Sequence, residues 1–271
     1  QDRSSAASDV YKRQTFTDAA LLDSAAGTVL GTGKSLTTRE DLSIGVGGAI
    51  ARVLEGFDGA LGDIGLVSLS TTLATNAVVE GVGGRACLVM IGFDETALER
   101  ADLARALGQD PVIFISGGHN ADGTPQARLD EPALRAAIES GRDGVSAYAV
   151  AGHFATRNPE HETRARDMIR ELTGAPVTCS HELSSSLGGP RRALTALLNA
   201  RLINLLDRLV AATESIMAAQ GLACPLMVVK GDGSLLEAGF ARSRPVETVL
   251  SGPAASLAGA AFLAGTRTAL V

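Results

Sequence analysis

The chain has no tryptophan, two tyrosines and seven phenylalanines in 271 residues, so its core must be built from aliphatic side chains. Cysteine is scarce as well: Cys87, Cys179 and Cys224 lie far apart, with no C-x-x-C pair. That spacing speaks against a disulfide framework or a cysteine zinc site and makes a reducing, cytoplasmic compartment the expectation. No apolar run approaches the roughly 18–20 residues needed to span a bilayer, and no secretory h-region opens the sequence. Positive charge does not predominate either. The 24 Lys+Arg against 30 Asp+Glu leave a formal charge of −6, which gives no support to nucleic acid or an anionic membrane as partner. What remains is a folded composition, 45% hydrophobic and 20% charged, with 31 glycines that call for many tight turns.

Strand and helix signals alternate along the chain, which argues for an α/β fold. Residues 15–38 read as two short strands turning at Gly27. Leu42, Val46, Ala49, Ile50, Val53 and Leu54 then share one helical face behind a start at Thr38. Strands are expected at 64–70, 85–91, 111–115, 145–151, 177–179, 226–229 and 246–250. Helices are expected after Thr72, over 131–140, from Asn158-Pro159 to Leu172, over 191–220 as a long amphipathic element, over 234–242, and over 254–264. Gly81 and Gly174 are helix stops, and Ser184–Pro190 is the best linker. Residues 1–14 have no apolar period and read as a non-native leader. The text divides further into 15–186 and 187–271, and the strand-like ending at Thr268–Val271 reads as cut. The chain is thus expected to be a fragment, truncated at both ends.

Four groups of residues could carry chemistry. Thr15-Phe-Thr-Asp18 offers hydroxyls and a carboxylate that suit phosphate and Mg²⁺, although an ordinary strand edge has the same look. Thr71, Thr72, Thr75 and Asn76 bunch at a strand-to-helix switch, where free N–H groups and the helix dipole attract anions, or where a plain N-cap cluster would sit. Ser251-Gly252-Pro253, between an expected strand and a small-residue helix, has the shape of a phosphate cradle. Gly231-Asp232-Gly233 ends a buried strand, where α/β ligands often sit, or is simply a turn. Neither a Walker P-loop nor a G-x-G-x-x-G dinucleotide loop is present, and no G-x-S-x-G elbow occurs. The histidines His119, His153, His161 and His181 look scattered. His161 reads as a solvated surface residue, while His119 and His181 stay open.

Taken in order, TFTDAALLD, STTLATNAVVEGVGGRACLVMIGF, NPEHETRARDMIREL, SHELSSSLGGPRRALTALLNARL and VVKGDGSLLEAGFARSRPVETVLSGPAASLAGA resemble the ATP-dependent A-type subunit of the hydantoinase/oxoprolinase family over residues 15–271. The resemblance implies an actin-like ATPase fold, a pair of ribonuclease H-like domains that enclose ATP and Mg²⁺. It implies that Thr15, Thr17 and Asp18 remain of a first phosphate loop, with Asp18 toward the metal. The leading Asp and the two glycines of that loop are replaced here by Lys12, Arg13 and Gln14. Ser251, Gly252 and Pro253, with Gly231, Asp232 and Gly233, are nucleotide candidates, and Thr71, Thr72, Thr75 and Asn76 would face the reacting groups. A second phosphate loop would begin just after Val271, so weak ATP binding is expected of these 271 residues alone. The implied reaction is ATP-dependent ring opening of a five-membered cyclic amide of hydantoin or 5-oxoproline type, with a B-type subunit as partner. Two alternatives are an ATP-dependent ketone carboxylase and an actin-like activator of a partner protein. The lone cysteines argue against an iron–sulfur activator.

Overall fold

In the first strand burial alternates residue by residue although residue type does not, and one carboxylate closes the turn to the second. The computed structural model describes residues 16–37, 42–141 and 143–264. Thr15, the leader, Thr38, Asp41 and the Thr268–Val271 ending lie outside the described residues. Strand β1 (Phe16–Asp23) pairs antiparallel with β2 (Thr28–Leu36), Phe16 facing Leu36 and Asp18 facing Lys34. Asp23 accepts the N–H groups of Ala25 and Ala26 at 2.8 and 2.9 Å, and Gly27 closes the turn at φ +66°. Helix α1 (Leu42–Leu54) lies on this hairpin with Val46, Ala49 and Val53 buried. The approach is close because glycines line it. A methyl on Gly33 would come within 2.4 Å of the Ala49 carbonyl oxygen, and one on Gly45 within 2.9 Å of the Thr17 hydroxyl.

By its contacts the chain divides into two compact units, Gln1–Gly65 with Leu209–Cys224, and Leu66–Arg208 with Pro225–Val271. The second begins with β3 (Val67–Leu69), α2 (Leu73–Glu80), β4 (Ala86–Ile91), α3 (Leu103–Leu107), β5 (Val112–Ile115) and α4 (Glu131–Ser140). It continues with β6 (Ala147–Gly152), α5 (Glu160–Thr173), β7 (Val177–Cys179), the short α6 (Ser180–Leu183) and the long α7 (Gly189–Ala219). It closes with β8 (Leu226–Val229), β9 (Leu235–Glu237), α8 (Ala238–Ser243) and α9 (Ser251–Ala264). The last turns of α7, from Leu209, belong to the first unit.

Four strands make a wholly parallel sheet in the order β5-β4-β6-β7. Every residue of β4 and β6 is buried, as continuous apolar runs require when helices cover both faces. On one face Leu88 and Met90 pack with Ala147, Ala149 and Ala151 against Ala193, Ala196, Leu197 and Ala200 of α7. On the other, Val89, Ile91 and Val150 meet Leu134 and Ile138 of α4 and Ala165, Met168 and Ile169 of α5. Each fully buried leucine or isoleucine contributes about 1.5–3 kcal/mol. Alanines on facing β6 and α7 let the helix backbone come close to the sheet. A second sheet joins β3 parallel to β8 and β8 antiparallel to β9.

Three expectations are corrected. Residues 246–250 are not a strand: a 3-10 turn spans Pro245–Thr248, and α9 starts at once at Ser251. Pro245 lacks an N–H, and the Thr248 hydroxyl donates back to its carbonyl at 2.8 Å, so the backbone coils instead of extending. The 234–242 segment is strand β9 followed by helix α8, since Leu235 and Leu236 pair with β8. Helix α7 is not amphipathic throughout: from Arg192 to Asp207 no residue is fully exposed, and one-sidedness begins only at Arg208.

Among the described residues no helix is long and apolar enough to cross a membrane. Cys87 and Cys179 are buried and Cys224 half-buried. Burial pushes the Cys87 thiol up to about 12 and that of Cys179 up as well, so neither provides thiolate at neutral pH. In the native chain a thiol reagent at pH 8 is expected to label Cys224 first. The other two should react only at the unfolding rate, and rapid modification of all three would contradict this packing.

Candidate active site

The hydroxyl cluster and the Ser251 turn, 175 residues or more apart in sequence, meet in space. The Ser251 hydroxyl donates to the Thr71 carbonyl at 2.8 Å, and the Thr71 N–H reaches back to it at 3.4 Å. Thr75 Oγ1 accepts the Leu250 N–H at 2.8 Å, and Thr71 Oγ1 accepts the N–H of Leu73 at 3.0 Å. A methyl on Gly252 would come 3.1 Å from Thr72 Cγ2. The N-termini of α2 and α9 are therefore sewn together. Thr71, Thr75 and buried Ser251 make the seam, while Thr72 and Asn76 stand exposed, the Asn76 amide donating to Thr72 Oγ1 at 3.3 Å. Pro253 is exposed one residue further into α9. Two helix N-termini side by side present unpaired N–H groups and positive dipole ends to one place, a favourable setting for an anion.

Gly231-Asp232-Gly233 forms the hairpin turn between β8 and β9. Lys230 N–H bonds the Ser234 carbonyl at 2.8 Å, and Gly233 turns at φ +84°. The Ser234 hydroxyl and N–H both donate to Asp232 and hold its carboxyl down at about 2. Asp232 thus stabilises the turn. Gly231 has a different part: its N–H donates to the Glu247 carbonyl at 2.8 Å, and a methyl there would lie 2.2 Å from the Val249 carbonyl oxygen. This close approach fixes the 3-10 segment that leads into Ser251.

Thr17 and Asp18 belong to the other unit, and strand alternation separates their side chains. Thr17 is half-buried and shares a 2.7 Å hydrogen bond with the Thr37 hydroxyl. Asp18 is exposed and faces Lys34 at 3.3 Å. The hairpin does not bring the two together. A carboxylate exposed in this way suits a Mg²⁺ ion that keeps most of its waters.

What the sequence did not show is a polar cluster at the carboxyl ends of the parallel strands. Sheet order reverses between β4 and β6, and ligands of open α/β sheets sit at such switch points. His153 follows β6, and its N–H donates to the Ile91 carbonyl at 2.9 Å, while the His119 N–H donates to the His153 carbonyl at 3.0 Å. His161, expected at the surface, is buried: its Nδ1 accepts the Gly118 N–H at 3.0 Å and its ring lies 4.3 Å from that of His119. The reason is that α5 starts under the loop after β5, where Gly117 leaves room for the ring: a methyl there would come 3.3 Å from its Nδ1. The Gly-rich loop at 116–126 is accordingly anchored, with Gly117, Gly118 and His119 buried.

Next to His161, Glu162 is fully buried. Its Oε1 accepts the Gly152 N–H and the Ser180 hydroxyl, both at 2.6 Å, and its Oε2 accepts the His181 N–H at 3.1 Å and Nδ1 at 2.5 Å. Arg192, 1% exposed, donates to Ser180 Oγ at 3.2 Å and to the carbonyls of Gly152 and Ser186 at 2.8 and 2.6 Å. Glu162, Cys179 and His181 also place ligand atoms within 4.8 Å of one another. A metal would have to displace donors already on both oxygens and would meet a thiol that stays protonated, so the arrangement is that of a hydrogen-bonded carboxylate. A cavity of about 440 Å³ lies beside β7, lined by Arg170, Thr178, Glu182, Asp207, Arg242 and Arg244 among others, and includes none of the sequence-predicted residues.

Burial lowers the proton affinity of His119, His153 and His161, and His161 adds to the effect on His119. An unfolded histidine titrates near about 6.5. Below that pH the unfolded chain binds more protons than the folded one, so stability rises with pH and is lost on acidification. Urea midpoints are expected to fall from pH 7.5 to 5.5. A midpoint that holds or rises would overturn the assignment of these rings as neutral.

Residues 14–173 match the hydantoinase/oxoprolinase N-terminal region, and residues 192–270 match the hydantoinase/oxoprolinase domain that follows it. The chain belongs to the hydantoinase/oxoprolinase family. Among relatives of this family, caprolactamase subunit alpha of Pseudomonas jessenii is 27% identical, the match covering 89% of this chain and 38% of that subunit. The acetophenone carboxylase gamma subunit of Aromatoleum aromaticum is also 27% identical, covering 85% and 36%. The chain thus spans little more than a third of these curated relatives. The crystal structure of the ATP-dependent caprolactamase from Pseudomonas jessenii superposes with a TM-score of 0.77 at 27% identity, over 93% of this chain and 40% of that one. Nucleotide-free acetone carboxylase superposes with a TM-score of 0.75 at 20% identity, over 93% and 39%. The hydantoinase/oxoprolinase chain has the actin-like ATPase fold that its sequence implied.

Proposed function

We propose that this chain carries nucleotide-site residues of an enzyme that uses ATP to open a cyclic amide, of hydantoin or 5-oxoproline type, by phosphorylating its carbonyl oxygen. The observation that carries the reading is the paired N-termini of α2 and α9, with Thr72 and Asn76 exposed beside them. Membership of a family that includes an ATP-dependent caprolactamase supports a lactam as the substrate class. Amide resonance makes a lactam carbonyl a poor electrophile. Phosphorylation of its oxygen removes that resonance, and water can then add to the carbon. Helix N–H groups, with Thr72 and Asn76, neutralise charge on the transferring phosphoryl oxygens. Asp18, exposed on the β1–β2 hairpin, would be a candidate ligand for Mg²⁺. The relatives are named as subunits, which supports a B-type hydantoinase subunit as partner.

The test is ATP turnover by the protein expressed from its complete reading frame, together with its partner subunit, against lactams, hydantoins and ketones with bicarbonate. A cyclic amide is expected to stimulate phosphate release with stoichiometric ring opening. Asn76→Ala and Thr72→Val, both at exposed positions, should reduce this by tenfold or more while leaving stability near that of the parent. Stimulation by ketone and bicarbonate alone would favour the carboxylase reading, which the acetophenone carboxylase relative supports. If no carbonyl compound raises turnover, both readings fall.

A further inference from the structure

Of the four histidines, His181 alone is paired with a buried carboxylate. It lies at the carboxyl end of β7, in the first turn of α6, and its side chain keeps 19% of its surface open while that of Glu162 keeps none. A carboxylate is an acceptor only, so Nδ1 facing Glu162 Oε2 carries a proton, and in the neutral ring the lone pair sits on Nε2. Glu162 cannot swing away, because Gly152, Ser180 and the His181 backbone hold both its oxygens, and Arg192 backs Ser180. The other charged groups around the pair are Arg166, bonded to Asp167 and Glu182, and Glu182 itself. Cys179, which donates to the Glu162 carbonyl at 3.5 Å, remains a thiol. A carboxylate fixed on all sides that orients one imidazole, its second nitrogen without a partner among the described residues, is the arrangement general base catalysis requires.

We propose that His181, oriented by Glu162, carries the proton in the ring-opening step; this role rests on the cyclic-amide reading above. Water adds to the carbon of the O-phosphorylated lactam: an O–H bond breaks, its proton goes to His181 Nε2, the C–O bond forms, and the C=N electron pair moves to nitrogen. The imidazolium then returns that proton to the ring nitrogen as the C–N bond breaks with its pair on nitrogen. The new hydroxyl loses its proton to solvent as C=O forms, leaving an acyl phosphate that a second water hydrolyses to carboxylate and phosphate. His181 ends as it began. Glu162 is a positioning residue, since it acts through His181.

The experiment compares His181→Asn and Glu162→Gln with the parent, each expressed from the complete reading frame with the partner subunit. First-turnover ADP formation and steady-state ring opening are measured from pH 6 to 9. In His181→Asn, ring opening is expected to fall about 100-fold or more, with KM little changed, first-turnover ADP retained, and the acid limb of the pH profile gone. In Glu162→Gln the fall should be smaller and the limb displaced. On the present chain, ¹⁵N spectra should show His181 as the Nδ1–H tautomer, with a low-field proton that is lost in Glu162→Gln. Ring opening within threefold of the parent and an unchanged profile in His181→Asn would overturn the role while leaving the reading intact. A parent protein that makes no ADP with any cyclic amide overturns the reading, and the role with it.

Discussion

Replacing Glu162 by alanine is expected to lower the stability of the chain by about 3–5 kcal/mol, because it leaves a buried guanidinium without its counter-charge. Glu162 draws together the loops after β6 and β7 through Gly152, Ser180 and His181, and its carboxylate is the charge that favours the buried Arg192 cation. Removing it strands donors that no other side chain among the described residues accepts. Arg192 still has the Ser186 and Gly152 carbonyls, which is why complete unfolding is not expected. Glutamine keeps the volume, but its NH₂ must face a donor, so Glu162→Gln should cost about 1–3 kcal/mol. Urea unfolding followed by far-UV circular dichroism measures both. If Glu162→Ala costs less than about 1 kcal/mol, water already reaches the cluster and the buried-pair account is wrong.

The same cluster shows where sequence patterning stops being informative. Strands β4 and β6 were legible because Ala86–Ile91 and Ala147–Ala151 are unbroken apolar runs, which only a sheet covered on both faces buries. Gly81 and Gly174, at φ +66° and +67°, end α2 and α5 where the pattern said. By contrast His119, His153 and His161 are brought together, and His181 is brought to Glu162, by parallel strand order, which spacing along one chain does not encode. One signal was available. Glu162 falls on the face of α5 that carries Ala165 and Ile169, all buried, and a charge at such a position calls for a buried partner. The failed strand at 246–250 has a local cause too: Val246, Thr248 and Val249 are β-branched as in a strand, but Pro245 and the Thr248 hydroxyl satisfy the backbone as a turn.

The candidate site divides along similar lines. Thr71 and Thr75 were singled out for their hydroxyls and Ser251 for its place in a cradle-shaped turn, and in the structure all three hydroxyls hold backbone to backbone. Among the described residues Thr72 and Asn76 bond only to each other through their side chains and stay exposed to solvent or ligand. Residue type could not separate the two groups, because the decision lies in contacts made from α9, far away in the chain. Asp18 and Thr17, read together as a phosphate and metal site, are placed by strand alternation on opposite faces of the β1–β2 hairpin.

Gly231 is where turn, seam and proposed nucleotide site depend on a single missing methyl. Gly231→Ala is expected to cost about 2–3 kcal/mol, the upper part of the range for overpacking, although its backbone angle needs no glycine. The new Cβ would sit 2.2 Å from the Val249 carbonyl oxygen and 3.7 Å from that of Glu247, so backbone and not a flexible side chain must give way. Val249 cannot retreat alone, because its N–H bonds Val246 at 3.3 Å and the next residue is tied to Thr75 at 2.8 Å. The displacement therefore passes into the α2–α9 seam. Hydrogen exchange at Leu250 and Thr71 should quicken in this variant, whereas Gly233→Ala, which meets open space and only the strain of φ +84°, should leave both amides protected. Slow exchange at Leu250 in Gly231→Ala would mean that the 3-10 segment is held by something other than this contact, and the link from the GDG turn to the helix N-termini would be lost.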